Sequence, residues 1–172
     1  LLFNYLSAKK KEENGPKFNF NNSEEIPFVT IQLPVFNELY VMDRLLDNIA
    51  LMDYPKDKLE IQVLDDSTDE TVATTKAHVD QLKAKGLDIT HITRTNRQGF
   101  KAGALKEGLE IAKGEYVAIF DADFLPEPNW LKKTIPFFKD PEIGVVQTRW
   151  GHINRDYSTL TKIQAFALDA HF

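Results

Sequence analysis

The stretch that decides the fold is IQVLDDSTDE, residues 61–70. It opens with a short, mostly apolar run and ends abruptly at two adjacent carboxylates, Asp65 and Asp66. A run of this kind, bounded by turn-forming residues, is typical of a buried strand. Ser67 and Glu70 follow with the spacing of a capping box, which indicates the start of a helix. The stretch therefore predicts a strand that leads directly into a helix.

The same pattern occurs on both sides of this stretch. Five segments are predicted as strands: Phe28–Leu33, Leu59–Leu64, Asp88–Thr93, Tyr116–Phe120 and Ile143–Gln147. Between them, residues at helical spacing form three apolar stripes, made of Leu39, Met42, Leu46 and Ile49, of Val72, Val79 and Leu82, and of Ala102, Leu105, Leu109 and Ala112. A further helix is predicted over 129–139, with a kink at Pro136 because proline removes a helical hydrogen bond.

The spacing of the strands predicts how they are connected. The predicted strand ends lie 31, 29, 27 and 28 residues apart, at Pro34, Asp65, Arg94, Asp121 and Arg149. This is the size of a βαβ unit, so we predict an α/β fold with a mainly parallel sheet flanked by helices. Right-handed crossovers place the carboxyl ends of all strands at one edge, where open α/β sheets bind ligands. We therefore expect functional residues at that edge.

Composition excludes several classes of protein. The chain has 172 residues, 42% of them hydrophobic, so it can bury a core as one domain. It has no cysteine, which excludes disulfides, thiolate metal sites and a cysteine nucleophile. Its 21 basic and 26 acidic residues give a net charge of −5, which argues against a nucleic-acid partner. No apolar run reaches the ~18–20 residues of a membrane span.

The two ends suggest a larger protein. Residues 1–25 are predicted to be a juxtamembrane or linker segment that precedes the domain at 26–172. The apolar residues at its start, followed by Lys9, Lys10 and Lys11, fit either the cytoplasmic exit of a membrane helix or a frayed amphipathic end. The last residues have helical apolar spacing without a capping signal, at Leu160, Ile163, Phe166 and Ala170. We expect the domain to be incomplete on its C-terminal side.

Two pairs of carboxylates are the strongest candidates for a ligand site. Asp65 and Asp66 repel each other, and a sheet edge tolerates such a pair more easily when a ligand donor or a cation satisfies it. Asp121 and Asp123 follow the fourth strand, where an extended backbone would point both side chains the same way. Two hard oxygen ligands at this place suit Mg²⁺ or Mn²⁺ carrying a diphosphate. The alternative is a plain turn, because Asp commonly opens turns.

Basic residues lie between the third strand and the third helix. Arg97 and Lys101 stand beside a predicted helix N-terminus, which favours an anion, and Gly99 and Gly103 permit close backbone approach. The alternative is a solvated basic loop. Neither common nucleotide-binding glycine fingerprint is present.

Other polar residues have simpler interpretations. Asn37 is a natural N-cap and Glu38 suits a first helical turn, which competes with a binding role. The four histidines lack metal-ligand spacing and are assigned no function, and Trp150 could stack on a sugar or close the end of the sheet.

Four motifs together resemble the family 2 glycosyltransferases of the GT-A fold, in order and spacing. They are Pro34-Val35-Phe36-Asn37-Glu38, Asp65-Asp66-Ser67-Thr68-Asp69, Lys101-Ala102-Gly103 and Asp121-Ala122-Asp123. The resemblance covers about residues 26–172. The segment Val146-Gln147-Thr148-Arg149-Trp150 narrows it toward the membrane-embedded cellulose-synthase-like branch, similar to glucomannan and β-mannan synthases. It implies a Rossmann-like sheet and inverting transfer of a hexose from a nucleotide sugar to a growing β-glycan.

The resemblance also implies roles for individual residues. Glu38 and Asp66, with Asp65 and Pro34 nearby, would hold the base and ribose of the donor. Lys101 would reach the diphosphate. Asp121 and Asp123 would be the catalytic residues that organise Mg²⁺ or Mn²⁺, with Asp121 also close to the nucleotide sugar.

The resemblance further implies parts that these 172 residues do not contain. The family's general base lies in a downstream Thr-Glu-Asp-like motif, followed by a Gln-x-x-Arg-Trp acceptor motif. The segment 147–150 is one residue too short to be the latter. We therefore expect the chain alone to bind donor and metal without synthesising polymer. It would be soluble itself, with the whole protein membrane-associated and its catalytic domain facing the cytosol.

Three alternatives and the choice of donor remain open on sequence alone. Phe120-Asp121-Ala122-Asp123 resembles the nucleophile motif of haloacid-dehalogenase-like phosphotransferases, although that motif normally follows the first strand of its fold. A Rossmann dehydrogenase lacks its glycine fingerprint here. A nucleotide-sugar-binding module without activity is the non-enzymatic alternative. The donor is UDP-glucose or GDP-mannose, with a slight preference for the uridine nucleotide.

Overall fold

The computed structural model describes residues 19–20, 25–148, 151–152 and 154–169. The chain divides into two compact units, Leu1–Pro136 and Phe137–Phe172. The segment predicted at 1–25 falls almost wholly outside the described residues, as do Arg149, Trp150 and Ala170. Among the residues described, no helix has the length and hydropathy needed to cross a membrane.

The first unit is built on a four-stranded parallel sheet. The strands are β1 (Val29–Val35), β2 (Leu59–Asp65), β3 (Ile89–Thr93) and β4 (Tyr116–Ile119). Their spatial order is β3-β2-β1-β4, and every neighbouring pair is parallel. Six of the seven residues of β1 and all seven of β2 are buried, and most of them are apolar, as expected for central strands of a parallel sheet. The predicted parallel α/β architecture is confirmed.

Helices connect these strands. They are α1 (Leu39–Ala50), α2 (Thr71–Ala84), α3 (Phe100–Glu110) and the short α4 (Trp130–Thr134), and short 3₁₀ segments occupy Lys56–Lys58 and Ile135–Lys139. The predicted stripe of α1 is buried at Met42, Leu46 and Ile49. The helix predicted over 129–139 changes from α to 3₁₀ geometry one residue before Pro136. This is consistent with the expected effect of the proline on helical hydrogen bonding.

A layer of buried polar side chains lies between the sheet and α3. Gln32 donates to Gln62 Oε1 at 3.0 Å, and Thr30 donates to Glu60 Oε2 at 2.7 Å. The same Glu60 oxygen accepts the backbone N–H of Lys113 at 2.9 Å. Gly108 brings α3 close to this layer, because a Cβ there would lie 2.7 Å from Gln32 Nε2. The sequence patterns did not predict this layer, which satisfies the polar groups that the sheet buries.

Three local predictions are wrong. Residues 143–147 do not form a strand, and Val145 is 82% exposed; a β-prone segment becomes a strand only beside a partner, and none of the described strands pairs with it. The N-cap positions of α1 and α2 are Glu38 and Glu70, and neither makes a side-chain cap. Asn37 was expected to cap α1 and Ser67 to cap α2. Instead, Asn37 forms hydrogen bonds with Ser67 and Thr68 in the loop after β2.

The second unit contains α5 (Thr159–Asp169). Its start has reciprocal bonds of the capping-box type, because Thr161 N–H donates to Ser158 Oγ at 3.2 Å and Ser158 N–H donates to Thr161 Oγ1 at 3.0 Å. Ala165 is buried, whereas Leu160, Ile163 and Phe166 are exposed in the described chain.

Candidate functional site

The carboxyl ends of the four strands bring most of the predicted residues to one edge. Val35 at the end of β1 pairs with Asp65, and Asp65 pairs with Thr93 at the end of β3. On the other side of β1, Ile119 of β4 pairs with Gln32, and Phe120 N–H donates to Gln32 O at 3.2 Å. The loops that follow these strands therefore start next to one another, as expected for a parallel sheet.

Asp66 is held by Arg94, which directly follows β3. Arg94 donates from Nε to Asp66 Oδ1 at 2.8 Å and from Nη2 to Asp66 Oδ2 at 2.5 Å. Both side chains are only 5% exposed. The bond to Asp66 raises the pKa of Arg94 above its ordinary value, so the guanidinium stays charged. Arg94 also donates to Glu107 Oε1 at 3.0 Å and to Phe100 O at 3.0 Å, which ties α3 to the same point.

Asp65 is satisfied separately from Asp66. Its side chain is fully buried, with Oδ2 2.8 Å from His91 Nε2 and Oδ1 accepting the Ser67 N–H at 2.9 Å. Burial alone would raise the pKa of Asp65, but the hydrogen bonds from His91 and Ser67 outweigh it and hold the pKa below its usual value. Each of the adjacent carboxylates thus has its own partner from the protein.

Arg97 lies over the ring of Phe36. Its guanidinium carbon is 3.4 Å from the ring centroid and 5.5 Å from that of Phe100. Arg97 Nε lies 4.0 Å from Asp66 Oδ2 and is a buried nitrogen without a hydrogen-bond acceptor in the described chain. A flat cationic and aromatic surface therefore stands beside Asp66.

The N-terminus of α3 is open. Gly99 precedes the helix with a φ of 74°, and no side chain caps the first turn. Lys101 in that turn forms an ion pair with Asp121. Gly103 makes the tight packing here possible, because a Cβ at this position would lie 1.9 Å from Gln98 O and 2.9 Å from Arg94 Nη1. Free N–H groups and a lysine at a helix start form a surface that favours an anion.

Asp121 and Asp123 lie in a turn rather than on extended backbone. The strand stops at Ile119, and Phe124 N–H donates to Asp121 O at 3.0 Å. Ala122 between them is buried, while Asp121 is half-buried and Asp123 is exposed. Among the described residues no side chain pairs with the Asp123 carboxylate, and no cluster of three or more metal-ligating side chains occurs. The chain thus offers two hard oxygen ligands, which fits a Mg²⁺-type ion that takes its other ligands from phosphate and water.

The remaining predicted residues lie at the end of β1 and on the loop that follows it. Pro34 is half-buried near the end of β1. Glu38 is exposed, and within the described chain its carboxylate has no partner. The edge therefore contains all of the predicted residues, and of these Asp65 has no exposed side-chain surface.

Sequence reasoning missed two residues of this edge. In the sequence pattern Arg94 marks only a strand end, and His91 lacks the metal-ligand spacing that would indicate a function. A signal for Arg94 was present: it follows a predicted strand of the same sheet, where a cation can neutralise Asp66. His91 lies two residues before the end of β3, where nothing in the sequence marks its partner.

The chain is similar to known glycosyltransferases. Residues 30–169 match the family model "Glycosyl transferase family 2". The chain is 45% identical over 174 residues to glucomannan 4-beta-mannosyltransferase 2 of Arabidopsis thaliana. This alignment covers 95% of this chain and 33% of that protein. The chain is 44% identical over 153 residues to the probable glucomannan 4-beta-mannosyltransferase 7 of Oryza sativa subsp. japonica, over 86% of this chain and 26% of that protein.

A solved structure is also similar. The mannosyltransferase PcManGT of Pyrobaculum calidifontis, in complex with GDP-Man and Mn²⁺, aligns with a TM-score of 0.63 and 32% identity, over 90% of this chain and 44% of that one. The chain spans about a quarter to a third of the length of the curated relatives it matches. The GT-A, Rossmann-like fold and the resemblance found in the sequence are thus confirmed, and the chain belongs to glycosyl transferase family 2.

Proposed function

We propose that this chain binds the donor of a mannosyltransferase, and that the donor is GDP-mannose rather than the uridine nucleotide that the sequence slightly favoured. The observation that carries the proposal is the 45% identity to a glucomannan 4-beta-mannosyltransferase over 95% of the chain. The complex of PcManGT with GDP-Man and Mn²⁺ supports the same donor and a divalent metal.

The diphosphate would lie against the N-terminus of α3. This surface has a helix start without a side-chain cap, a left-handed Gly99 that keeps the backbone accessible, and Lys101 in the first turn. Lys101 is 52% exposed and Asp121 42% exposed, so the ion pair between them is accessible to an incoming anion. We propose that Lys101 exchanges Asp121 for the diphosphate when the donor binds, and that it stabilises the charge that develops on the leaving group.

Asp121 and Asp123 would hold Mn²⁺ or Mg²⁺ together with the diphosphate. Such an ion neutralises charge on a departing nucleoside diphosphate. Two carboxylates are few ligands for an ion in the absence of a nucleotide, so the site fits a metal that arrives with the donor.

The nucleoside would lie on the neighbouring loops. Asp66, fixed in one orientation by Arg94, has oxygen lone pairs left that can accept from a ribose hydroxyl. Glu38 on the β1 loop is exposed and can accept from a donor group of the base or ribose. Pro34 and the Phe36–Arg97 surface would complete this side of the site, with a ring face available for stacking.

In the whole protein we propose inverting transfer of mannose to a β-glycan acceptor. A carboxylate general base is required to deprotonate the acceptor hydroxyl, and we assign none of the residues described above to that step. The proposal also places the whole protein at a membrane with this domain in the cytosol, through segments outside this chain.

Calorimetric titration tests the donor assignment. We expect the folded chain to bind GDP and GDP-mannose in the presence of Mn²⁺, and to bind UDP and UDP-glucose at least about tenfold more weakly. Asp123→Ala should weaken the Mn²⁺-dependent binding about tenfold or more, because one of two protein ligands is lost. Preference for UDP would overturn the donor assignment, and equal binding with and without Mn²⁺ would overturn the metal role.

The non-enzymatic and phosphotransferase alternatives are less well supported. Asp121 follows the fourth strand of the sheet and pairs with a lysine, and the comparisons identify transferases of sugars. A sugar-nucleotide-binding module without activity would show the same binding, so only transfer assays on the whole protein separate it from an enzyme.

A further inference from the structure

Asn37 has an unusual backbone conformation for its residue type. It follows β1 and has a φ of 55°, in the left-handed region that is uncommon for residues other than glycine. Asparagine tolerates this region better than most side chains, but it adopts it only where the surroundings hold it. The cause of this conformation must therefore be sought in the contacts of Asn37.

Two reciprocal hydrogen bonds hold Asn37 against the next loop. Its N–H donates to Ser67 Oγ at 2.8 Å, and its Oδ1 accepts the N–H of Thr68 at 2.9 Å. We name these three residues, Asn37, Ser67 and Thr68, the loop clasp. The clasp joins the loop after β1 to the loop after β2, across about 30 positions of sequence.

The loop clasp is anchored to the buried sheet. Ser67 N–H donates to Asp65 Oδ1 at 2.9 Å, and Asp65 Oδ2 lies 2.8 Å from His91 Nε2 on β3. Asp66 N–H donates to Val35 O at 3.0 Å, which continues the pairing of β1 with β2. A continuous line of hydrogen bonds therefore runs from β3 through β2 to Asn37.

The clasp fixes the neighbours of its own residues. Asp66 directly precedes Ser67, and Glu38 directly follows Asn37. These two carboxylates come from different loops, and both belong to the proposed nucleoside-binding side of the site. Two links hold these loops together: the backbone bond from Asp66 N–H to Val35 O at the end of β1, and the clasp, whose Asn37 directly precedes Glu38.

The clasp is poorly suited to stabilising the fold as such. Both of its bonds are exposed to solvent, where exchange with water leaves little net gain, and the left-handed backbone of Asn37 costs free energy. What the bonds do supply is a defined geometry for the loops, and a binding site needs such a geometry.

We infer that Asn37 and Ser67 are positioning residues of the donor site, which align Glu38 with Asp66 so that both contact one nucleoside. The inference rests on the proposed donor function. It assigns Asn37 a role that neither the N-cap interpretation nor a structural role in α1 requires, since α1 begins without a side-chain cap.

A double-mutant cycle on nucleotide binding tests the inference. Asn37→Gly keeps the left-handed backbone accessible and removes Oδ1, Ser67→Ala removes Oγ, and Ser67→Thr retains a hydroxyl as the matched control. GDP affinity in the presence of Mn²⁺ is measured by calorimetry, and urea unfolding of each variant verifies that it is folded. We expect Asn37→Gly and Ser67→Ala each to bind GDP about tenfold more weakly, and Ser67→Thr to bind within about threefold of the wild type.

The double variant distinguishes positioning from independent effects. Both changes break the same clasp, so their effects on GDP affinity should not add. The double variant Asn37→Gly/Ser67→Ala should bind GDP at most about twofold more weakly than the single variant with the lower affinity. Unchanged GDP affinity in folded single variants would overturn the inference while leaving the donor assignment intact. Failure of the wild-type chain to bind any of the nucleotides would overturn the donor function, and this inference with it.

Discussion

Asp65 and Asp66 illustrate how far a single residue can be interpreted from sequence. Their adjacency favours a ligand donor or a cation that satisfies them, and the structure shows partners from the protein itself, His91 for Asp65 and Arg94 for Asp66. Local sequence does not reveal these partners, because His91 on β3 and Arg94 directly after β3 lie 26 and 28 positions away from the aspartates they contact. Two separate partners from the protein thus satisfy two carboxylates that repel each other.

The Asp65–His91 contact predicts how stability depends on pH. Hydrogen bonds hold the pKa of Asp65 below its usual value despite burial, so the ionised carboxylate favours the folded state above its unfolded-state pKa. This contribution is lost as the pH falls through the lower, folded-state pKa. Urea unfolding between about pH 5 and about pH 3 should therefore show a steeper loss of stability in the wild type than in Asp65→Asn.

The matched control for this experiment is Asp57→Asn, which changes an exposed aspartate of the same unit. We expect its pH profile to follow that of the wild type. Identical slopes for Asp65→Asn and the wild type would show that Asp65 contributes nothing to the acid sensitivity.

At the scale of elements, α3 depends on two glycines that serve different contacts. Gly108 lies against the buried side chains of Gln32, Gln62 and Leu64, where a Cβ would approach within 2.7–2.9 Å. Gly103 lies against backbone, where a Cβ would approach Gln98 O within 1.9 Å. Side-chain neighbours can shift at moderate cost, but a backbone carbonyl can move only together with its loop.

Gly103→Ala should therefore displace the loop 94–99 from the start of α3. We expect a loss of stability of about 1–3 kcal/mol, typical of overpacking, and a larger relative loss of GDP binding, because the same loop contains Arg94 and leads into Lys101. Urea unfolding and calorimetry measure the two effects. Gly144→Ala is the control, since no atom lies within 4 Å of a Cβ at Gly144. A Gly103→Ala variant with wild-type affinity would refute the role of this packing.

Secondary-structure elements were predictable where one pattern governed them. Short, mostly apolar runs predicted β1 and β2, and the apolar stripe predicted α1, because burial in a sheet or on a helix face favours these patterns. The strand prediction for residues 143–147 was wrong because a strand forms only beside a partner strand, which local sequence does not specify. The predicted caps of α1 and α2 were wrong because Asn37 and Ser67 form hydrogen bonds between two loops. Such tertiary contacts cannot be inferred from the spacing of residues in a local motif.

At the scale of the whole molecule, donor and metal should stabilise the chain together. A ligand that binds only the folded state adds about 2.7 kcal/mol at a free concentration of 100 times its dissociation constant. Because Asp121 and Asp123 offer only two ligands, we expect Mn²⁺ alone to raise the thermal midpoint little, and GDP with Mn²⁺ to raise it clearly. Removal of the metal with a chelator should reverse most of the shift.

Asp123→Ala provides the control. GDP without metal should still raise the thermal midpoint of this variant, and added Mn²⁺ should raise it no further. A full rise of the thermal midpoint with Mn²⁺ in the absence of nucleotide would contradict a metal site formed by the protein and the nucleotide together.

Fold class and family were predictable from sequence at this scale, whereas the layout of the site was only partly so. The order of strand ends along the chain places Asp66, Lys101 and Asp121 at one edge of any parallel sheet, and the structure confirms that edge. The buried layer around Glu60 and the contacts of Arg94 were not predictable, since they depend on which side chains face each other across strands.

The strand order has a consequence for how the chain acquires its shape during synthesis. β1 pairs with β2 across about 30 positions, but its other edge must wait for β4, whose Val117 pairs with Thr30 across 87 positions. Closing so long a loop is slow compared with local pairing, and the first-made strand keeps an unpaired edge until then. Asp121 and Asp123 come shortly after β4, so on a ribosome these proposed metal ligands would come into place only after β4 has emerged and docked. Before that point the nascent chain would expose one edge of β1.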